Sequence, residues 1–307
     1  MASPEVEHAA ALLGSVAQRD VALGPRTTYR VGGPAALCVE VQTEADLAAV
    51  AGAVAASGVA TLVVGRGSNL LVADRGFDGL AIVMGEGQAS LAVSAESGTV
   101  HAGGALALPL LARRTVAAGL TGLEWAVGVP GSVGGGVRMN AGGHGSDVAT
   151  SIVRARVVDL RTATDAWWGP ERLQLRFRHS AVTSEHLVAE AEFALAPGDV
   201  AAGERDLAEI VRWRRENQPG GQNAGSVFVN PLPESAGRLV DGLGLKGHRI
   251  RSASVSTKHA NFIQADDGGC ADDVKALIDD VRARVAAAYE IELRPEVQLV
   301  GFDEGAA

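Results

Sequence analysis

Apolar and polar residues alternate along Ala36–Gln42, which predicts a β-strand near the start of the chain. Thr43 follows, with Asp46 three residues later, and this spacing is typical of the capping box that begins a helix. Apolar residues then recur at helical spacing until Gly58, where a glycine ends the pattern. The short apolar run Thr61–Val64 predicts a second strand. Residues 36–64 are therefore predicted to form a β-α-β unit.

The rest of the chain shows a mixture of strand and helix patterns. Strands are predicted at Ile152–Leu160, Leu173–Arg178, Leu187–Leu195, Val227–Val229, Ala260–Gln264 and Val297–Val300. Helices are predicted before Gly119, around Leu207–Val211 and at Asp272–Ala288. The chain is therefore predicted to contain both helices and strands. The polar stretch Pro197–Gly203 is rich in small residues, so we expect a domain boundary there.

Composition narrows the class of protein. The 307 residues carry a formal net charge of -9, whereas nucleic-acid-binding proteins usually show a basic footprint. Cys38 and Cys270 lie far apart and outside any CxxC pair, so neither a metal site nor a disulfide framework is expected. No apolar run has the length of a membrane span, and the first ten residues lack the features of a secretion signal. We therefore expect a cytoplasmic protein that binds neither nucleic acid nor membrane.

Two glycine-rich segments are candidates for ligand binding. The first, Gly65–Asn69, follows a predicted strand, and its glycines allow backbone N–H groups to converge on an anion. It matches neither the dinucleotide-binding fingerprint nor the P-loop, so taken alone it is more simply interpreted as a tight turn. The second, Gly128–Gly145, has a glycine density that a turn does not need. This density favours a loop that approaches a ligand closely.

Polar residues in the second half of the chain are candidates for chemistry. Arg178 can hold a carboxylate or phosphate with a two-pronged donor, and Glu296 is a candidate acid–base partner. Ser226 follows a glycine outside any nucleophile elbow and is a candidate proton donor. Lys258 and His259 add positive charge to an acidic protein, which suits an anionic substrate. Each residue, taken alone, is also typical of a turn or an exposed surface.

Nine motifs follow one another in order along the chain: TYRVGGPA, GRGSNLLV, GVPGSVGG, MNAG, FRHS, NAGSVFVNP, GLKG, KHANFI and RPEV. In this order and spacing they resemble the UDP-N-acetylenolpyruvoylglucosamine reductases, also called UDP-N-acetylmuramate dehydrogenases or the MurB family. The resemblance runs from about Thr28 to Gly301, which is nearly the whole chain. So many ordered matches are not expected by chance.

The resemblance implies an α+β fold with a two-lobed FAD-binding domain of the vanillyl-alcohol-oxidase (PCMH) type and a C-terminal α+β substrate-binding domain. The FAD-binding region would cover residues 1–200, with lobes at about 1–88 and 89–200, and the substrate domain residues 201–307. FAD would be bound non-covalently, since neither Gly65–Asn69 nor Gly128–Gly135 contains His or Cys. The implied cofactor-binding residues are Gly65, Arg66, Gly67, Ser68, Asn69, Gly128, Pro130, Gly131, Ser132, Gly134, Gly135, Asn140, Ala141 and Gly142.

The resemblance also implies a two-step reaction. NADPH would reduce the flavin and leave, and the enolpyruvyl ether of UDP-N-acetylglucosamine would then take hydride at its distal vinyl carbon. By motif match Ser226 would donate the proton to the adjacent carbon, while Arg178 and Glu296 would polarise the carboxylate and stabilise the developing enol. Asn230, Lys258 and His259 would contact the substrate. The product would be UDP-N-acetylmuramate, a peptidoglycan precursor, and we expect the enzyme to be a monomer.

Three departures from the family pattern concern substrate binding. Phe177 stands where the family often has Tyr, and Val229 stands where it often has Lys. The segment from Ser180 to Gly203 is short, which resembles the family's compact subtype without a tyrosine-bearing loop over the substrate. Two alternatives stay open: an FAD oxidoreductase of the same superfamily with another substrate, and a UDP-sugar or flavin sensor without turnover.

Overall fold

A computed structural model describes residues 3–302 of the chain. The α-helices in this range are α1 (Pro4–Leu13), α2 (Glu44–Ser57), α3 (Leu108–Ala117), α4 (Val133–Met139), α5 (Pro170–Leu173), α6 (Val200–Asn217), α7 (Ala236–Gly242) and α8 (Ala271–Tyr289). Short 3-10 turns lie at Gly14–Val16, Gly24–Arg26, Glu86–Gln88, Glu124–Gly128 and Val148–Thr150. No helix within residues 3–302 combines the length and apolar character needed to cross a membrane.

The strands form several small and medium-sized sheets. They are β1 (Gln18–Ala22), β2 (Pro34–Val41), β3 (Thr61–Val64), β4 (Leu70–Val72), β5 (Phe77–Met84), β6 (Leu91–Ser94), β7 (Thr99–Gly103), β8 (Leu120–Thr121), β9 (Gly142–Gly143), β10 (Ser146–Asp147), β11 (Ile152–Asp159), β12 (Thr164–Trp168), β13 (His186–Ala194), β14 (Ala196–Pro197), β15 (Arg249–Ile250), β16 (Ala253–Val255), β17 (Ile263–Ala265) and β18 (Gln298–Val300).

The described chain divides into two compact units. Unit one contains residues 3–19, 36–66 and 78–214, and unit two contains residues 20–35, 67–77 and 215–302. Unit one holds a five-stranded antiparallel sheet with the order β12-β11-β13-β7-β6. A second sheet has the order β1-β2-β5-β3, with β3 parallel to β5.

Unit one buries two apolar cores. One core packs α1 and α2 against the sheet of β2 and β5, and the other packs α3 and α4 against the five-stranded sheet. Strand β13 contributes to both, since Leu187 and Ala189 belong to the first core and Val188 and Phe193 to the second. This strand therefore ties the two cores of unit one together.

Unit two is built around helix α8. The antiparallel sheet β15-β16-β17 packs on one apolar face of this helix, whose residues Val274, Leu277, Ile278 and Val281 are buried. Strands β4 and β18 pair in parallel and place Leu71 in the same core. The helical spacing that predicted Asp272–Ala288 is confirmed, with one additional residue at each end.

Several predictions for unit one are confirmed in the structure. The β-α-β unit is present as β2, α2 and β3, with β5 inserted between the two strands of the sheet. Thr43 and Asp46 form a complete capping box, and Gly58 ends the helix in the left-handed conformation. The strands predicted at 152–160 and 187–195 are β11 and β13. Helix α1 was not predicted.

The strand predicted at Leu173–Arg178 is wrong. Helix α5 ends at Leu173, and Gln174 adopts a left-handed backbone with φ 48°. Arg176 and His179 then exchange two backbone hydrogen bonds across a tight turn, in which Arg178 has φ 54°. Two residues with positive φ are incompatible with an extended strand. The polar and apolar alternation here reflects a helix end followed by a turn.

The strands predicted near Val227 and Ala260 are only partly correct. Val227–Val229 is extended and hydrogen bonded, but it forms an isolated bridge from Phe228 to Pro295 and no regular strand. The second of these strands begins later than predicted, at Ile263. The predicted domains, residues 1–200 for FAD and 201–307 for substrate, describe ligand binding and stay a prediction.

A residue distant in sequence caps helix α8. Cys270 occupies the N-cap position, and its side chain makes no capping hydrogen bond. Asp74 instead accepts hydrogen bonds from the backbone N–H groups of Ala271, at 3.0 Å, and Asp272, at 2.9 Å. The carboxylate thereby satisfies two of the N–H groups that have no partner within the helix. It links the loop between β4 and β5 to the longest helix of unit two.

We expect Asp74→Ala to lower the free energy of unfolding by about 1 kcal/mol, because the substitution removes this cap. Asp78→Ala is the control, since Asp78 is an exposed acid nearby in sequence. Urea denaturation measures both variants. Equal losses in the two variants would indicate a general effect of charge and contradict the capping role.

Candidate functional site

The two glycine-rich segments meet inside unit one. A Cβ atom on Gly65 would lie 2.3 Å from Ser132 Oγ, so a larger residue at 65 would clash with the second segment. At Gly134 a Cβ would lie 3.1 Å from the Val188 carbonyl oxygen and 3.2 Å from that of Gly104. Glycine at these positions lets the two loops and strand β13 approach one another closely.

A small crevice with a cavity volume of about 50 Å³ lies along this contact and opens to solvent. It is lined by Val63, Gly65, Met84, Gly104, Ser132, Gly134, Gly135, Arg138, Val182, His186 and Val188. The valines and the methionine form apolar walls, while the glycines expose backbone and the arginine contributes a positive charge. Apolar walls suit a flat ring system, and the backbone and arginine suit an anionic group. These residues therefore fit part of a dinucleotide such as FAD.

Other predicted cofactor residues of the second segment have structural roles. A Cβ on Gly128 would lie 3.1 Å from Ile210 Cγ2, so glycine here permits close packing of helix α6. The Gly131 carbonyl accepts a hydrogen bond from the Leu108 N–H, which fixes the start of α3. Pro130 is exposed, and Ala141 and Gly142 are half-buried. Their contact with the cofactor stays a prediction.

The side chain of Asn140 is committed to the protein. Its Nδ2 donates to Asp147 Oδ2 and to the Arg176 carbonyl, both at 3.0 Å, and its Oδ1 accepts from the Ala149 N–H at 2.9 Å. The residue is buried and has a left-handed backbone, with φ 40°. Asn140 thus joins the glycine segment to the turn that carries Arg178.

The same glycine segment holds the guanidinium of Arg178. Its Nη2 donates to the Gly142 carbonyl at 2.9 Å, and its Nη1 lies 3.5 Å from the Asn140 carbonyl. The guanidinium carbon also lies 5.1 Å from the centre of the Phe177 ring, within the range of a cation–π contact. Arg178 is half-buried, and its side chain is held by backbone from residues 140 and 142.

The first glycine segment continues into unit two. Gly67 has φ +60°, and a Cβ there would lie 2.0 Å from the Arg26 carbonyl oxygen, so both conformation and space require glycine. Asn69 Nδ2 donates to the Glu296 carbonyl at 3.0 Å. Arg66 is exposed and Ser68 half-buried. Asn69 therefore positions the backbone at Glu296, and its predicted role toward FAD is untested.

Ser226 and Glu296 lie on neighbouring segments of unit two. The N–H of Glu296 donates to the Val227 carbonyl at 2.7 Å, and the Val229 N–H donates to the Arg294 carbonyl at 3.0 Å. Both Ser226 and Glu296 are half-buried. The structure therefore brings these two predicted catalytic residues together in unit two, and it places Arg178 in unit one.

Asn261 was not predicted as a functional residue, although it lies within the KHANFI motif. Its Oδ1 accepts from the Phe228 N–H at 2.9 Å, its Nδ2 donates to the Phe228 carbonyl at 2.8 Å, and its own carbonyl accepts from Val227. The amide side chain of Asn261 thus pairs with the Phe228 backbone as a peptide group of a neighbouring strand would. This pairing lies two residues from Ser226. An Asn flanked by apolar residues in a predicted strand is the signal that would have indicated this role.

The predicted substrate residues lie in unit two. Asn230 is exposed, and its Oδ1 accepts from the Ala236 N–H near the start of α7. Lys258 Nζ donates to the Arg215 carbonyl. The His259 ring lies edge-on to Phe262, with centroids 4.9 Å apart. Burial lowers the pKa of His259, and the charge of Lys246 lowers this pKa further.

Comparison with known proteins identifies relatives over more than nine-tenths of the chain. The C-terminal domain model of UDP-N-acetylenolpyruvoylglucosamine reductase matches residues 217–300, and an FAD binding domain model matches residues 35–164. The UDP-N-acetylenolpyruvoylglucosamine reductase of Synechococcus sp. (strain CC9311) is 42% identical over 300 residues, covering 95% of this chain and 96% of the relative. That of Heliobacterium modesticaldum is 43% identical, covering 91% and 89%.

A solved structure of a reductase with this name also matches the chain. The crystal structure of the reductase from Thermus caldophilus superposes with a TM-score of 0.78 at 33% identity, covering 92% of this chain and 98% of that chain. Together with the mixed helices and strands described above, these matches confirm the predicted α+β fold with an FAD-binding part and a C-terminal part.

We expect Asn261→Ala to speed hydrogen exchange of the Phe228 amide by about tenfold or more, because both polar groups of Phe228 lose their partner. Leaving a buried polar group without a partner costs about 1–3 kcal/mol. The Val229 amide bonds Arg294 and serves as an internal reference.

Asp273→Asn is the matched control, since Asp273 is a buried acceptor for Ser252 elsewhere in unit two. Equal acceleration at Phe228 in both variants would contradict a specific role for Asn261.

Proposed function

The chain belongs to the UDP-N-acetylenolpyruvoylglucosamine reductase family, and we propose that it reduces the enolpyruvyl ether of UDP-N-acetylglucosamine to UDP-N-acetylmuramate, with NADPH as reductant and FAD as cofactor. The observation that carries this proposal is the identity of 42% over 95% of the chain with a reductase of that name. The reaction would supply a peptidoglycan precursor.

The glycine-lined crevice of unit one contains the residues best suited to hold FAD. Gly65, Ser132, Gly134 and Gly135 would offer backbone and hydroxyl groups, and the neighbouring valines would offer apolar surface. FAD, when bound, supplies the hydride that it has received from NADPH. FAD would be bound non-covalently, as predicted from the glycine motifs.

Ser226 is proposed to hold the proton that the reaction consumes. Hydride addition at the distal vinyl carbon leaves negative charge at the carbon next to the carboxylate. The Ser226 hydroxyl donates its proton to that carbon, which completes the reduction of the double bond. The hydrogen bonds of Val227 to Asn261 and Glu296 restrict the backbone beside Ser226 before substrate arrives.

Arg178 and Glu296 are proposed to stabilise the charge that develops on the substrate carboxylate and its enol form. A guanidinium already held by backbone carbonyls loses little conformational entropy when it binds a carboxylate. Such preorganised groups stabilise the transition state more than the ground state. Both side chains would act on the substrate, and the proton itself would come from Ser226.

Asn230, Lys258 and His259 are proposed to contact the UDP part of the substrate. Phe177 is 54% exposed and can offer its ring, although it lacks the hydroxyl group of the tyrosine found in many relatives. Val229 likewise offers no charge where relatives often have lysine. We also retain a cytoplasmic location and a monomeric state as predictions from the sequence.

We expect the purified protein to be yellow and to release FAD on denaturation. NADPH oxidation should depend on the enolpyruvyl substrate, and this dependence is measured by absorbance at the NADPH band with and without substrate. NADPH oxidation that is unchanged by the substrate would favour an FAD oxidoreductase with another substrate. Absence of flavin would contradict the proposal as a whole.

We expect Ser226→Ala to retain reduction of the flavin by NADPH but to lose at least about a hundredfold in substrate reduction, since a general acid typically contributes about 10²–10⁴-fold. Stopped-flow absorbance separates the two half-reactions. Normal substrate reduction in this variant would remove Ser226 from the role of proton donor, whereas loss of both half-reactions would indicate a structural defect.

A further inference from the structure

Arg138 is a charged residue with no role in the proposed mechanism. It lies near the end of α4, and its backbone carbonyl accepts a hydrogen bond from Ser180 Oγ at 2.7 Å. The side chain lines the glycine-rich crevice together with Ser132, Gly134 and Gly135. Within residues 3–302 its guanidinium forms neither a hydrogen bond nor an ion pair with another side chain.

The partly buried positive charge of Arg138 is energetically unfavourable unless an anion lies beside it. Burial lowers the pKa of Arg138, because the crevice wall removes water from its charged form. The chain has 36 acidic and 27 basic residues, so a carboxylate partner would have been easy to provide. A half-buried charge usually has a partner, and an anionic ligand would supply one.

The described residues that line the crevice with Arg138 include no Asp or Glu. His186 also lines the crevice, and its Nδ1 accepts a hydrogen bond from the Thr183 N–H at 3.1 Å. Burial is the largest effect on His186 and lowers its pKa. Asp159 Oδ2 lies 4.0 Å from Nε2 of His186. Arg138 is therefore the main positive charge of the crevice.

We propose that Arg138 binds the pyrophosphate of the flavin dinucleotide, beside the glycine backbone of residues 134 and 135. This inference rests on the proposed function, which requires bound FAD. A guanidinium can form two parallel hydrogen bonds to phosphate oxygens, and such charge-assisted bonds are stronger than neutral ones. The apolar walls of the crevice would then contact the uncharged parts of the cofactor.

The test compares Arg138→Met with the wild type as apo proteins. Methionine keeps much of the apolar stem and removes the charge. Dissociation constants are measured by calorimetry for FAD and for its two phosphate-free parts, riboflavin and adenosine. We expect FAD to bind about tenfold or more weakly to the variant, because a charge-assisted bond is lost. Riboflavin and adenosine should change less than about twofold, since neither carries phosphate.

Two further variants serve as controls. Arg113→Met removes one charge from an exposed position on α3 in the same unit and should leave FAD affinity unchanged. Arg138→Lys keeps the charge without the two-pronged geometry and should bind FAD with intermediate affinity. Thermal unfolding of each apo protein confirms that the variants fold.

Three outcomes would overturn the inference or its premise. Unchanged FAD affinity in Arg138→Met would overturn the role of Arg138 while leaving the proposed function intact. An equal loss for adenosine or riboflavin would mean that Arg138 contacts a ring and not the pyrophosphate. A wild type that binds no FAD would overturn the proposed function itself, independently of any variant.

Discussion

The N–H and C=O groups of Val227 bond to two different segments, and this pairing fixes the proposed catalytic centre of unit two. The N–H donates to Asn261 and the carbonyl accepts from Glu296. At the next residue, Phe228, both the N–H and the C=O group bond to the side chain of Asn261. Because Val227, Phe228 and Asn261 are buried, breaking one of these bonds would leave a buried donor or acceptor without a partner. Ser226 and Glu296 therefore share one rigid backbone frame.

Close backbone approach has the corresponding role in unit one. Gly65 and Gly134 leave room for loops that side chains would separate, and the resulting crevice is the best candidate for cofactor binding. The same glycine segment extends to Asn140 and Gly142, whose carbonyls lie against the Arg178 guanidinium. One segment thus serves both the proposed cofactor site and the arginine proposed for substrate.

Local patterns predicted those features that depend on local interactions. The capping box at Thr43 and Asp46 and the apolar face of α8 are determined by neighbours a few residues apart. Asp74 caps helix α8, and the Asn261 side chain bonds the Phe228 backbone. Both contacts join residues far apart in the chain, so no local spacing rule predicts them. The failed strand at Leu173–Arg178 has another cause, since two left-handed residues follow a helix end and no glycine signals them.

Within a single sequence motif, some residues are proposed to act on a ligand and others make hydrogen bonds that stabilise the local structure. In the serine motif, Ser226 is the proposed proton donor, whereas Val227 and Phe228 make the backbone hydrogen bonds beside it. In the MNAG motif the Asn140 side chain is fully used in joining the glycine segment to the turn of Arg178. Residues of one motif therefore have different roles, and membership of a motif does not show that a side chain contacts the cofactor or the substrate. The contacts must be assigned from hydrogen bonds, and by that criterion Arg138, which no motif singled out, is a stronger candidate for a cofactor contact than the Asn140 side chain.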